Sequence, residues 1–91
     1  MPVYTVVVTD KPEAVAARIE ATIHEQNRLR LAHNAWLLDY DGTTQALVED
    51  IGIRTKDVVG SGIAFPVTNY SGRSVTNTWE WLKLHLSRAG S

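Results

Sequence analysis

Arg28-Leu29-Arg30-Leu31-Ala32-His33-Asn34-Ala35-Trp36-Leu37-Leu38-Asp39-Tyr40 is the stretch on which the fold turns. Arg28 to Leu31 alternates polar and apolar residues, the period of a strand with one wet face. Ala35 to Tyr40 is a second strand-like run. His33-Asn34 between them suits a tight connection. Two strands joined there is the reading preferred; one longer, bent strand is the alternative. The choice decides the topology, because a split segment turns a simple alternation of strands and helices into a βαββαβ core.

Outward from that segment the other elements follow. Val3 to Thr9 is β-branched and aromatic throughout, apolar on both faces, and reads as a central strand or one at a dimer interface. Asp10 ends it and sits three residues before Glu13, a helix N-cap arrangement with Pro12 in the first turn. Val15, Ala16, Ile19 and Ile23 then recur at helical spacing, which predicts an amphipathic helix over Pro12 to Asn27. Past the decisive stretch, Asp41-Gly42 marks a turn. Thr43 or Thr44 caps a second helix through Asp50, with Leu47, Val48 and Ile51 on one face and Gly52 as its stop. Ile63, Phe65 and Val67 alternate as a strand. Pro66 cannot donate to a ladder, so that strand belongs at an edge. Gly60 and Gly62 predict a bulge or a close backbone approach. Residues 78–86 alternate like a strand from 82, yet Val75, Trp79, Leu82 and Leu86 also make a helical stripe. The helix is preferred because it accommodates both tryptophans. The expected fold is therefore α+β, a single ferredoxin-like domain over residues 1–91 with an additional C-terminal helix.

Composition bounds the function. The chain has 91 residues, 44% hydrophobic and 21% charged, with no cysteine and a net charge of −1. A chain of this size buries roughly 60–65% of its unfolded surface, so one modest core is expected. Small chains often gain stability by oligomerising, and with no cysteine this one has no disulfides to use, so a homodimer is expected. The lack of cysteine fits a reducing cytosol. Met1 to Thr9 has no basic n-region, and no apolar stretch approaches the ~20 residues of a spanning helix. A cytoplasmic protein with no membrane partner is the expectation. The slightly acidic balance argues against a globally basic nucleic-acid binder but leaves room for a local patch, for which Arg28, Arg30, Arg54 and Lys56 are the candidates. None of His24, His33 and His85 has metal-motif spacing with another ligand residue, so no zinc site is expected. Trp36, Trp79 and Trp81 can stack on bases, but core or interface anchoring is the commoner role.

Three local patterns carry chemistry. Leu37-Leu38-Asp39-Tyr40-Asp41-Gly42-Thr43 resembles the first motif of haloacid-dehalogenase-type phosphatases, which would make Asp39 the nucleophile and Asp41 the acid. Too little chain follows for that family's later motifs, and a strand ending in an Asp-Gly turn is the plainer reading. Met1-Pro2-Val3-Tyr4 resembles the start of tautomerases, whose N-terminal proline amine, here Pro2, acts as base. The third resemblance spans most of the chain: Thr5-Val6-Val7-Val8-Thr9-Asp10 with an amphipathic helix, a His-containing turn before Ala35-Trp36-Leu37-Leu38-Asp39, a Thr-capped helix, a strand, and Trp79-Glu80-Trp81-Leu82-Lys83. It resembles the small proteins related to the second CRISPR-associated adaptation protein, in particular the SinR-like group. That resemblance implies a ferredoxin-like dimer associated through its sheets and action on or alongside nucleic acid, in CRISPR or toxin–antitoxin systems. It also implies magnesium held by Asp10 across the dimer for phosphodiester cleavage. Thr9 departs from that pattern, which commonly has an aromatic there. Two further expectations stand beside it: Asp10 as a plain helix cap, and a non-enzymatic interaction module.

Overall fold

The computed structural model describes residues 2–54, 58–68 and 76–90, with side chains described for 78–85 in the last stretch. In chain order these form β1 (Val3–Asp10), α1 (Pro12–Thr22), a 3-10 turn (Glu25–Asn27), β2 (Arg28–Ala32), β3 (Ala35–Asp39), α2 (Thr44–Asp50), β4 (Ser61–Pro66) and α3 (Thr76–Gly90). The strands make one antiparallel sheet in the order β2-β3-β1-β4. This is the α+β arrangement expected of a ferredoxin-like βαββαβ core, followed by a helix.

The decisive segment does split in two. Arg28 lies opposite Leu38 and Arg30 opposite Trp36 in the β2–β3 ladder. The turn between them is tied from both sides. Arg30 Nη2 donates to the His33 carbonyl at 2.6 Å, while Asn34 Nδ2 donates to the Val8 carbonyl at 3.3 Å. The Val8 N–H returns to the Asn34 carbonyl at 2.7 Å.

Strand alternation sorts the side chains into two layers. Tyr4, Val6 and Val8 of β1, with Trp36 and Leu38 of β3, face α1 and α2 and pack on Val15, Ala16, Ile19, Leu47 and Ile51. Arg18 Nε ties the two helices by donating to the Asp50 carbonyl at 2.9 Å. On the opposite face, Val3 and Leu37 pack with Leu82 of α3, beside Leu29, Val67, Trp79 and Trp81. The central strand β1 is thus covered on both faces at its start, in keeping with its β-branched and aromatic sequence. Residues 78–86 lie within α3, so the helical reading of that segment holds. Its buried residues are Thr78, Leu82 and His85; Val75 lies outside the described residues, as does the side chain of Leu86.

Two sequence expectations are corrected. α1 stops at Thr22 rather than Asn27: Ile23 is extended, and His24 Nδ1 instead accepts the Gln26 N–H at 3.2 Å to start the 3-10 turn. Asp10 does not cap α1. Lys11 holds the N-cap position at φ 53° and ψ 57°, and no side chain bonds the first-turn amides. With Pro12 next, one of those amides is missing in any case. Elsewhere the local signals are obeyed. Thr43 Oγ1 accepts the Ala46 N–H at 3.1 Å, and Gly52 ends the α2 region at φ 83°. The glycines of the β4 region mark close approach: a Cβ on Gly62 would stand 2.6 Å from the Val7 carbonyl oxygen, and one on Gly60 would stand 2.6 Å from that of Asp10. The register between β1 and β4 shifts between Val8 and Asp10.

Candidate functional site

The residues singled out from sequence fall into separate places. Asp10 ends β1, lies opposite Ser61 and is exposed. Its carboxylate makes no hydrogen bond or ion pair among the described residues. Near that end of the sheet, Glu13 accepts from Arg30 Nη2 at 2.6 Å and lies 3.4 Å from His33 Nδ1. The Arg30 guanidinium holds the Glu13 carboxyl below the ordinary carboxylate range, first by this hydrogen bond and then by its charge. Arg30 also lies over the Trp36 ring, 5.1 Å from its centroid.

The cations are largely occupied by the fold. Arg28 Nη1 donates to the Ile23 carbonyl at 2.5 Å and the Glu20 carbonyl at 3.4 Å, where the end of α1 leaves acceptors open. Arg28 and Arg30 share edge strand β2. Arg54 follows α2 on the way to β4, and two strands separate β2 from β4. Lys56 lies outside the described residues. Pro2 is exposed, and its carbonyl accepts the Tyr40 N–H at 3.1 Å. Asp41 is exposed in the turn after β3, where Tyr4 donates to the Gly42 carbonyl at 2.6 Å and Tyr40 to the Asp50 carboxylate. That last bond pushes the Tyr40 hydroxyl up to about 12.

The most developed polar constellation is one that sequence spacing did not reveal. Asp39, at the end of β3, is only 5% exposed, and His85, in α3, only 3%. His85 Nδ1 donates to Asp39 Oδ2 across 46 residues of sequence. Trp81 stacks on the imidazole, with ring centroids 4.0 Å apart and planes 21° apart. Asp39 Oδ1 and Trp81 Nε1 are buried without a hydrogen-bond partner among the described residues. A carboxylate on Nδ1 orients an imidazole as in acid–base dyads. Here burial and the stacked indole deny a substrate access to the ring. The arrangement works as a latch that pins α3 to β3 in one position. It also closes Asp39 to the nucleophile role of the phosphatase-like motif. In the sequence Asp39 shows only as the end of an apolar strand run, and His85 only as a histidine without metal-motif spacing.

A different kind of site lies on β4. Its Ile63 and Phe65 are 61% and 47% exposed, on the α3 side of the sheet but beyond the part that α3 covers. Half-buried Thr5 and Val7 lie opposite them on β1. No family model matches this chain, and no curated protein matches its sequence.

Proposed function

We propose that this chain works as a homodimeric interaction module whose first partner is a second copy of itself, docked at β4. The observation that carries the reading is β4 itself, an edge strand whose two outward apolar side chains stand in solvent. Single exposed apolar residues are ordinary. An uncharged edge strand is not, because an open row of backbone donors and acceptors invites another chain, and edges are normally blunted with charges. Ser61-Gly62-Ile63-Ala64-Phe65-Pro66 carries no charge, and only its terminal proline blunts it. A two-fold contact of this strand with its own copy would cover what one protomer leaves open. Sedimentation velocity tests the reading. A dimer that Ile63→Lys converts to monomer supports it, and a wild-type monomer refutes it.

A second reading is favoured by the exposed, uncapped Asp10. As in the family that the chain resembles, Asp10 would bind magnesium across a dimer and activate water for phosphodiester cleavage. Magnesium-dependent cleavage of RNA or DNA that Asp10→Ala abolishes would support this. Equal cleavage by wild type and Asp10→Ala would end it.

A further inference from the structure

We infer that Asp41-Gly42 is a modification site, where the aspartate isomerises through a cyclic imide, and that the Tyr4 hydroxyl gates the reaction by holding the turn closed.

Among the aspartates only Asp41 precedes a glycine, and no asparagine does. A backbone amide nitrogen can attack the carboxyl carbon of the aspartate before it and close a five-membered ring. A side chain on the following residue hinders that attack; glycine has none, and its backbone turns most freely. Asp41 and Gly42 are both exposed, so water also reaches the ring once it forms. Water is the one co-reactant needed. The bond from Gly42 N to Asp41 Cγ forms, and the amide proton and the hydroxyl of the protonated carboxyl leave as water. Water then opens the imide, with no change of oxidation state. Attack at the side-chain carbonyl restores aspartate. Attack at the main-chain carbonyl leaves the chain running through Cγ, which is isoaspartate.

The folded turn opposes ring closure. The Gly42 N–H donates to the Tyr40 carbonyl, two residues back, at 3.1 Å. That bond makes a γ-turn centred on Asp41. Lys11 is the one non-glycine residue at positive φ among the described residues, so the turn is of the inverse kind, with ψ of about +65° at its centre. A five-membered ring holds Cβ of Asp41 and the Gly42 nitrogen almost eclipsed about the Cα–C bond, which an L residue reaches only at strongly negative ψ. The nitrogen is therefore turned away from the carboxyl, and its hydrogen is engaged. The turn has to open before the ring can close. Three contacts keep it shut. The Tyr40 N–H donates to the Pro2 carbonyl at 3.1 Å. The Tyr40 ring, tied by its hydroxyl to Asp50, lies so close to Gly42 that a Cβ there would stand 2.7 Å from Cε2. Tyr4, 4% exposed, donates from the core to the Gly42 carbonyl at 2.6 Å. The packing of Tyr40 demands glycine at 42, so the labile pair is built into the turn.

Isomerisation here reaches beyond the turn. It adds one carbon to the main chain between β3 and α2. The Gly42 carbonyl is carried away from the Tyr4 hydroxyl, and Thr43, the cap of α2, is displaced with it.

The test is prolonged warm incubation of the intact chain, native and unfolded in urea. Isoaspartate is counted by enzymatic methylation and located by electron-transfer fragmentation. Isoaspartate at 41 should accumulate in both samples, and more slowly in the native one. Tyr4→Phe should speed the native reaction about twofold to twelvefold, the rise in open population that losing one net hydrogen bond gives. Ile19→Val, a core truncation on α1 remote from the turn, should leave the native rate near that of wild type. Circular dichroism confirms that both variants fold. An absence of isoaspartate at 41 in the unfolded chain overturns the site, and equal native and unfolded rates overturn its protection by the turn. A native rate for Tyr4→Phe no greater than that for Ile19→Val overturns the gate, because global unfolding would then set the rate.

Discussion

Replacing His85 with leucine leaves the Asp39 carboxylate buried and alone. Both side chains are almost fully covered, and Oδ1 of Asp39 lacks a donor among the described residues, so the substitution strips the last hydrogen bond that they give it. Breaking a buried pair from one side costs about 3–5 kcal/mol, since the remaining charge stays out of water. A domain of this size holds roughly 5–14 kcal/mol in total, so His85→Leu removes a large share of it. The expected fall in Tm is at least about 12 °C. Part of the loss should appear as undocking of α3, because only Leu82, Thr78 and His85 of its described residues are buried. The assay is urea unfolding followed in parallel by far-ultraviolet circular dichroism and by the fluorescence of Trp79 and Trp81, which would report α3 leaving the sheet first. The control is Asp39→Leu with His85→Leu, which removes both partners and should be less destabilised than either single variant. A cost below about 1 kcal/mol for His85→Leu, or a double variant as unstable as the sum of the singles, would refute the latch.

Three further outcomes follow from local geometry. Arg28→Ala removes the donor that bonds the Ile23 and Glu20 carbonyls at the end of α1, and chemical denaturation should show a loss of about 1–2 kcal/mol. Lys11→Gly relieves a left-handed residue at φ 53°, so despite the added freedom of the unfolded chain it should be neutral or stabilising by up to about 1 kcal/mol in the same assay. Tyr40, held up to about 12 by its bond to Asp50, should stay neutral in an alkaline titration after an ordinary tyrosine has ionised. Its contribution to stability is complete below the ordinary tyrosine value of 10.0 and is lost as pH rises through about 12. Absorbance titration of wild type against Tyr40→Phe should show the late-ionising tyrosine missing from the variant, and Asp50→Asn should bring it earlier.

The fold was legible because its signals are local. The break at His33–Asn34, the Thr43 cap, the Gly52 stop and the edge position announced by Pro66 each act within a few residues, and each stands where the sequence placed it. The end of α1 was not legible: Ile19 and Ile23 keep the helical period, but Arg28, across the 3-10 turn, claims the last carbonyls and the chain turns away at Ile23. Asp10 followed by Pro12 and Glu13 resembles a cap, yet Lys11 takes that place in a left-handed conformation that no propensity favours. The Asp39–His85 latch was hidden because nothing local marks a contact 46 residues apart. His85 reads as a histidine without metal-motif spacing in an ambiguous segment, and Asp39 as the end of a strand. The open edge of β4 was half legible. Pro66 marked the edge, but only the sheet order shows that Ile63 and Phe65 stand beyond the cover of α3.

The measurement closest to the centre of this account is the solution mass of the unmodified chain by sedimentation equilibrium. A self-association fitted by a species of twice the 10.1 kDa protomer, weakened when Ile63 is replaced by lysine, is the predicted result. A single 10.1 kDa species at every concentration examined would contradict it.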